Sequence, residues 1–441
     1  MGIELGIGAI TLAIVLSLFF LMAIGVPLGA STLLISVTTA YLAFGENGFI
    51  LVSSAVGKVM DKYALIAVPF FVFMANIMER SGVAKELFNS MAILGGQLRG
   101  GVAVQTCIVS VILAAMSGIV GGEVVLLGLI ALPQLFRLGY DRKISIGVIT
   151  SSGALATLIP PSIVLIVYGA EANVSIRDLF TAGILPGILL ASLYIIYVLI
   201  RVRLNPALGP VYDAPEAKLP LLKRIAFLKG LILPFLLIFG VLGSIYGGIA
   251  TVTESAAIGA VGSLIVAAAR RELTIKSIRE ALWSTMLTAG SLLWLIIGAV
   301  SLVGIYNILG GTRFLGGLLT AIELPPIGII IIMMMIIFFL GTFLEWIAIV
   351  FITVPVFAPV VAQLGYDPVW FGILFAMNIQ IYMLSPPFGP ACFYLKSVAP
   401  KDVTLQEIFI SILPFIGLQI IGLALVMAFP QIALWLPNLG G

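Results

Sequence analysis

Two proline pairs, Pro160-Pro161 and Pro386-Pro387, interrupt long apolar stretches of this chain and lie among small polar residues. A proline pair inside an apolar helix removes N–H donors, so it leaves backbone carbonyls and a half-helix N-terminus without their usual partners. Free carbonyls and hydroxyls suit a dehydrated Na⁺, and a helix N-terminus suits an anion. The predicted sodium- or substrate-binding residues near the two pairs are Thr150, Ser151, Ser152, Gly153, Asn378, Gln380, Ser385 and Gly389, together with the four prolines.

Two further polar interruptions fall inside the apolar stretches 101–138 and 326–364, each of which is too long for one membrane crossing. Interrupted apolar segments of this kind are typical of re-entrant hairpins, whose bare backbone is tolerated only inside protein or along a cavity. We call these segments the first and second hairpins. Their interruptions add five residues to the predicted binding set, namely Ser117, Gly118, Gly341, Thr342 and Glu345.

Three carboxylates, Glu123, Glu254 and Glu345, are predicted at membrane depth, where an ionisable side chain is costly and is by default a functional candidate. Glu254 follows Thr251 at a predicted helix start, so we expect it to act as a helix cap. Glu345 lies beside the second hairpin interruption and is the strongest functional candidate of the three. The sequence leaves open whether Glu345 contacts an ion or only braces the hairpin.

The composition excludes a soluble protein. Of 441 residues, 61% are hydrophobic and 9% are charged, whereas soluble domains carry about 25% charged residues. The chain has no histidine, which removes zinc-protease helices and imidazole relays, and Cys107 and Cys392 are expected to be small buried apolar residues. We therefore expect no enzyme activity, no cofactor and no transition metal. The only metal ion expected is the Na⁺ that the proline breaks suggest, as the coupling ion. No basic residue precedes the first apolar run, so it is predicted to be a transmembrane helix and not a signal peptide.

The sequence predicts an all-α, multi-pass membrane protein. The candidate membrane spans are 6–24, 28–44, 64–79, 144–169, 180–200, 230–247, 252–269, 283–308, 369–395 and 405–430. Among these, 144–169 and 369–395 contain the proline pairs and are predicted to be broken helices.

An internal repeat is the strongest pattern in the chain. Leu138-Gly139-Tyr140-Asp141 recurs 226 residues later at 364–367, and Pro160-Pro161 recurs at the same offset as Pro386-Pro387. Tyr168 and Tyr394 share that offset. Two separate motifs at one spacing indicate a duplication, in which each copy has a hairpin, a turn and a broken helix.

The distribution of Lys and Arg predicts that the two copies are inverted. Basic residues flank the first Leu-Gly-Tyr-Asp turn, while 359–368 hold none. The positive-inside bias then places the N-terminus outside, in the periplasm, with the first hairpin entering from the cytoplasm and the second from outside. The predicted division is 1–200 for the first repeat, 201–229 for a cytoplasmic linker, 230–430 for the second repeat and 431–441 for a C-terminal tail. Inverted repeats with broken helices are typical of alternating-access transporters.

Several long runs carry a family resemblance, among them MSGIVGGEVVLLGLIALPQLFRLGYD, LIPPSIVLIVYG and LSPPFGPACFYLKSVAP. They resemble the large membrane subunit of tripartite ATP-independent periplasmic (TRAP) transporters, and the resemblance covers nearly the whole chain. It implies an elevator-type, Na⁺-coupled importer of carboxylates in the bacterial inner membrane. It also implies two partners, a periplasmic substrate-binding protein and a small four-helix membrane subunit. The chain departs from the family pattern at Val252, usually Pro, and at Glu345, usually Asp. Residues 386–396 resemble a branch linked to 2-oxo and hydroxy acids.

Three alternatives remain at this point. A stand-alone Na⁺/dicarboxylate or citrate symporter would share the inverted repeats and paired hairpins, and a neighbouring gene for a secreted binding protein would argue against it. An intramembrane enzyme would need a catalytic constellation, and the chain has no HExxH helix and no Ser/His pair. A passive channel would need a continuous polar path, whereas the polar residues here cluster at the interruptions.

Overall fold

The computed structural model describes residues 6–95, 98–118, 120–211 and 226–439. Within these ranges the chain is helical, and eight helices are long and apolar enough to cross a membrane. This confirms the prediction of an all-α, multi-pass membrane protein. Part of the predicted linker, including Lys218, Lys223 and Arg224, lies outside the described residues, as do the first five residues and the last two.

The helices follow one another along the chain with short connections. They are α1 Ile7–Ala23, α2 Leu28–Phe44, α3 Asn47–Met60, α4 Ala67–Arg80, α5 Val83–Gly95, α6 Gly101–Ser117, α7 Val120–Arg137, α8 Arg142–Gly153, α9 Ile163–Ala172, α10 Ile176–Leu204, α11 Ile232–Tyr246, α12 Val252–Ala269, α13 Ile275–Ile308, α14 Gly311–Thr320, α15 Pro326–Gly341, α16 Trp346–Gln363, α17 Pro368–Leu384, α18 Pro390–Val398, α19 Leu405–Ala428 and α20 Gln431–Leu439.

Four helices were not anticipated from the sequence. Helices α3, α5, α14 and α20 have 9 to 14 residues each, fewer than the roughly 20 that a membrane crossing requires. Within the predicted C-terminal tail 431–441, residues 431–439 form α20, whose Ala433 is buried. Helix α10 also continues to Leu204, into the predicted linker.

The two Leu-Gly-Tyr-Asp turns have the same local structure. Gly139 and Gly365 adopt left-handed backbone angles, with φ of +79° and +78°. At both turns this conformation lets the chain turn away from the end of the preceding helix. Asp141 then caps α8 by accepting a hydrogen bond from the Ile144 N–H at 3.0 Å. Asp367 caps α17 by accepting one from the Val369 N–H at 2.7 Å. The repeated motif therefore ends one helix and begins the next.

The base of the first hairpin, formed by α6 and α7, lies at the C-terminal end of α10. The Tyr140 hydroxyl accepts a hydrogen bond from the Val102 N–H at 3.2 Å, which holds the two ends of the hairpin together. Beyond the end of α10, the Leu208 carbonyl accepts a hydrogen bond from the Asp141 N–H at 3.0 Å. This contact joins the hairpin base to the segment that follows α10.

The base of the second hairpin, formed by α15 and α16, lies at the other end of α10. Asp367, just after α16, lines one cavity together with Arg177 and Asp178 from the first turns of α10. Helix α10 has 29 residues, so its ends are about 44 Å apart at 1.5 Å per residue. The two hairpin bases are therefore at opposite ends of this helix.

Each hairpin also packs against the broken helix of the other half. Helix α7 of the first hairpin contacts α18, and a β-carbon on Gly128 would come within 2.8 Å of the Leu395 and Val398 side chains. Helix α16 of the second hairpin contacts α9 in the corresponding way. These contacts join the two halves of the chain.

Candidate functional site

The first break comprises residues 158–162, between the short turn that follows α8 and the start of α9. All five residues are buried, and the peptide bond between Pro160 and Pro161 is cis. Ser162 begins α9: its hydroxyl oxygen accepts a hydrogen bond from the Leu165 N–H at 3.3 Å and its O–H donates to the Thr157 carbonyl. The break is thus a fixed, enclosed turn in which α9 starts inside the protein.

The tip of the first hairpin lies directly on this break. Gly118 adopts φ of +62°, and a β-carbon added there would lie 2.2 Å from the Pro161 carbonyl oxygen. On the opposite side of the break, a β-carbon on Gly153 would lie 2.5 Å from a Val124 methyl group. The predicted residues Gly118 and Pro161 are therefore brought together, Gly153 packs against Val124 of α7, and neither close approach leaves room for a larger residue.

The second break comprises residues 385–389, between α17 and α18, and it differs in exposure. Its peptide bond between Pro386 and Pro387 is also cis, but both prolines and Phe388 are exposed. Gly389 adopts φ of +37° and precedes α18. The tip of the second hairpin packs just before this break, where a β-carbon on Gly341 would lie 2.3 Å from the Tyr382 ring.

Tyr394 on α18 packs against the tip of the first hairpin. Its ring lies 3.3 Å from the position of a β-carbon on Gly121, at that tip. Because α18 follows the second break, this contact joins the first hairpin tip to the second broken helix.

Several of the predicted hydroxyls bond to carbonyls of their own helices. The Thr150 hydroxyl donates to Ile146 O at 2.8 Å, the Thr342 hydroxyl to Phe339 O at 2.7 Å and the Ser385 hydroxyl to Ile381 O at 2.7 Å. A hydroxyl that donates in this way keeps its oxygen lone pairs for a cation.

Two other predicted side chains bond elsewhere. The Ser152 hydroxyl lies 3.4 Å from the Cys107 sulfur, and the Asn378 amide donates to Met334 O at 2.6 Å. Asn378 therefore links α17 to α15 of the second hairpin.

Three predicted residues carry buried polar atoms without a hydrogen-bond partner in the described part of the chain. These atoms are Ser117 Oγ, Ser151 Oγ and both the oxygen and the nitrogen of the Gln380 side-chain amide. Buried polar atoms in folded proteins are nearly always satisfied. Unsatisfied oxygens at a hairpin tip and in the two broken helices are therefore the atoms best suited to a ligand.

The three carboxylates have different environments. Glu254 forms the predicted capping box, because its carboxylate accepts from the Thr251 N–H at 2.7 Å, and the capping prediction is confirmed. Glu345 is partly exposed and makes no capping bond to α16. Glu123 is almost fully buried and accepts a hydrogen bond from the Ser110 hydroxyl.

Sequence reasoning did not assign roles to Tyr382, Tyr394 or Ser110. Tyr394 repeats Tyr168 at the offset of 226, so a signal was present, but its contact with Gly121 depends on tertiary packing. Sequence reasoning also missed the ion pairs of Arg142 with Asp402 and Glu407, at 2.8 and 2.7 Å, which tie the start of α8 to the α18–α19 connection and to the first turn of α19.

Within the described residues, no group of three His, Cys, Asp or Glu side chains could hold a metal ion.

Comparison with known proteins agrees with this architecture. The family model for the DctM component of the tripartite ATP-independent periplasmic transporter matches residues 15–432. The C4-dicarboxylate TRAP transporter large permease protein DctM of Pseudomonas aeruginosa is 30% identical over 86% of this chain and 87% of its own length. The sialic acid TRAP transporter large permease protein SiaM of Vibrio cholerae is 30% identical over 95% and 96%, respectively.

One relative is named for a different solute, and the fold extends to more distant transporters. The ectoine/5-hydroxyectoine TRAP transporter large permease protein UehC of Ruegeria pomeroyi is 31% identical over 85% of this chain and 86% of its own length. The crystal structure of the YdaH transporter of Alcanivorax borkumensis superposes with a TM-score of 0.63, at 15% identity, over 93% of this chain and 98% of that one. The match of the family model over almost the whole length shows that this chain belongs to the DctM component family of tripartite ATP-independent periplasmic transporters.

Proposed function

We propose that this chain is the substrate-translocating subunit of a Na⁺-coupled importer of organic acids. The observation that carries the proposal is the pairing of each hairpin tip with a broken helix, Gly118 on Pro161 and Gly341 on Tyr382. The first break and the unsatisfied oxygens of Ser117, Ser151 and Gln380 are buried, and such sites bind ions in transporters with discontinuous helices. The chain is then a transporter and not an enzyme.

The coupling ion is Na⁺. The ligands offered at the tips and breaks are hydroxyl, amide and carbonyl oxygens, which suit a hard monovalent cation. The buried candidates are Ser117, Ser151 and Gln380. Among the described residues of this cluster there is no Lys or Arg, so a cation can enter without repulsion from a fixed positive charge.

The transported solute carries a carboxylate. Relatives are named for C4-dicarboxylates and sialic acid. In this chain α18 starts inside the protein beside the exposed residues 386–388, and a helix N-terminus favours negative charge. The second break is therefore the proposed place for the carboxylate group, while the closed first break holds an ion.

The transport domain moves as an elevator formed by inverted repeats. Support comes from the bounds of the helices, since Val120–Arg137 and Trp346–Gln363 are offset by 226 residues at both ends. The hairpin bases lie at opposite ends of α10, as inverted copies require. The proposed partners are a periplasmic binding protein that delivers the acid and a small four-helix membrane subunit, in the bacterial inner membrane.

The proposal is tested by uptake of a panel of radiolabelled organic acids into proteoliposomes that contain both membrane subunits. With the binding protein added outside, we expect uptake of at least one acid under an inward Na⁺ gradient. Replacement of Na⁺ by K⁺ at equal ionic strength should abolish it, and undiminished uptake in K⁺ would reject the ion assignment. Full uptake without the binding protein would instead identify a stand-alone symporter.

A further inference from the structure

A cavity of about 180 Å³ lies between the first hairpin and helices α4 and α13. Neither proline pair lines it, although Ser117 at the tip of the first hairpin does. The polar residues that line the cavity are Asn76, Glu79, Ser117, Glu123, Ser284 and Thr288. A recess lined by several polar groups can hold water.

Glu123 is the most deeply buried charged residue of this lining, with 1% of its surface exposed. Its Oε1 accepts a hydrogen bond from the Ser110 hydroxyl on the facing helix of the hairpin. Its Oε2 is buried and has no partner, and among the described residues no Lys or Arg forms an ion pair with it. The carboxyl group is therefore enclosed with only one hydrogen bond.

An ionised carboxylate in this position would be poorly stabilised. Removal of a carboxylate from water costs several kcal/mol, and a counter-charge or several hydrogen bonds are needed to offset that cost. Glu123 has one hydroxyl partner. The neutral, protonated carboxyl avoids this penalty and supplies an O–H donor at the otherwise unpaired oxygen.

The charged and titratable groups around Glu123 do not change this balance. From α4, Glu79 lines the same cavity and adds a second carboxyl group. The Arg80 guanidinium donates to the Asn76 side-chain oxygen at 3.1 Å and forms an ion pair with Glu280 of α13 at 3.8 Å. From α5, Glu86 is paired with Arg270, and Lys85 is exposed.

In the described part of the chain, the other elements packed against α7 also offer Glu123 no ion-pair partner. On α6, Cys107 faces Ser152 of α8. On α18, Tyr394 packs against Gly121, and the Lys396 ammonium donates to Val403 O at 2.6 Å. The 3₁₀ turn that follows α8, Ala154–Thr157, has no titratable side chain. On α13, Ser284 and Thr288 are neutral.

We propose that Glu123 is a proton-binding site within the first hairpin, which exchanges its proton with water through the cavity beside α4 and α13. The hairpin then carries a neutral carboxyl when its surroundings are closed, and the proton leaves when the cavity admits bulk water. Proton occupancy is a property of this chain by itself. Its coupling to transport rests on the proposed function, so the two can fail separately.

The test uses N,N′-dicyclohexylcarbodiimide, which reacts with protonated carboxyl groups in apolar surroundings, on the purified chain in lipid vesicles. Peptide mass spectrometry should find the adduct on Glu123 at neutral pH, and labelling should weaken about tenfold for each pH unit above the midpoint of its titration. Glu254, an exposed carboxylate bonded to its own helix N-terminus, is the internal control and should remain unlabelled.

Two results would overturn the proposal. The first is that Glu123 stays unlabelled at every pH and that the infrared spectra of wild type and Glu123→Gln show the same protonated-carboxyl bands. The other is strong protection of Glu123 by Na⁺ but not by choline, which would mean that the carboxylate holds a metal cation. Because neither measurement requires substrate uptake, a failed uptake assay leaves this test intact.

Discussion

Gly118 at the first hairpin tip lies so close to the Pro161 carbonyl oxygen that a β-carbon on Gly118 would be 2.2 Å from it. Real β-carbons do not approach an oxygen so closely, so any other residue must push the tip away from the break. The left-handed φ of Gly118 adds a second reason for glycine. The hairpin and the broken helix therefore form one packed unit.

Gly118→Ala should separate this unit. We expect the added methyl group to cost about 1–3 kcal/mol of folding free energy through overpacking and to lower Na⁺-dependent uptake more than the loss of folded protein explains. Thermal melts and uptake of the same preparation measure both effects. Gly240→Ala is the matched control, because no atom lies within 4 Å of a β-carbon there. Wild-type uptake by Gly118→Ala would show that the close contact is not required.

The positions of the hairpin bases predict their accessibility from opposite sides of the membrane. Arg137 and Gln363 are the last residues of α7 and α16, they are offset by 226, and both are exposed. In a variant without Cys107 and Cys392, Arg137→Cys should react with a membrane-impermeant maleimide from the cytoplasmic side. Gln363→Cys should react from the periplasmic side. Labelling of both from one side would refute the inverted arrangement.

Acid should weaken the contact between α8 and the α18–α19 connection. The Arg142 guanidinium, hydrogen-bonded to Asp402 at 2.8 Å, holds the pKa of that carboxyl below its ordinary value. A lowered pKa in the folded state gives stability that is present above the ordinary value and is lost as pH falls through the lowered one. The melting temperature of the wild-type protein should therefore fall between a pH above the ordinary carboxyl pKa and a pH below the lowered one. Asp402→Asn and Arg142→Gln should each make that fall smaller.

The expected effect is small, because the Asp402 side chain is exposed and surface ion pairs are screened. Asp61→Asn, at a position without an ion pair in the described part of the chain, serves as the control. If the melting temperature of Asp402→Asn falls on acidification as much as that of wild type, the loss of stability is due to other carboxylates.

Much of the fold could be predicted because local rules govern it. The Gly-Tyr-Asp turns, the proline breaks and the Glu254 capping box each depend on residues within a few positions of one another. The short helices α3 and α5 were missed because their 14 and 13 residues fall below the length of a membrane crossing. They are amphipathic connections rather than spans, and packing decides their structure.

The site was predictable in its parts but not in its assembly. Glycines and hydroxyls near the interruptions were identified from the sequence, and the structure brings Gly118 to Pro161 and Gly341 to Tyr382. Which polar atoms remain unsatisfied could not be predicted. That property depends on neighbours distant in sequence, as when Asn378 finds Met334 and Gln380, two residues away, finds no partner.

Gln380 and Asn378 should therefore respond in opposite ways to apolar substitution. A buried amide without a partner costs about 1–3 kcal/mol, so Gln380→Met, similar in shape, should melt at the same or a higher temperature yet lose Na⁺-dependent uptake. Asn378→Leu removes the 2.6 Å bond to Met334 O and should lower the melting temperature. Melting curves and Na⁺ titrations of uptake for both variants make the comparison. If Gln380→Met loses folded protein in step with activity, or transports like wild type, then its amide does not bind the ion or the substrate.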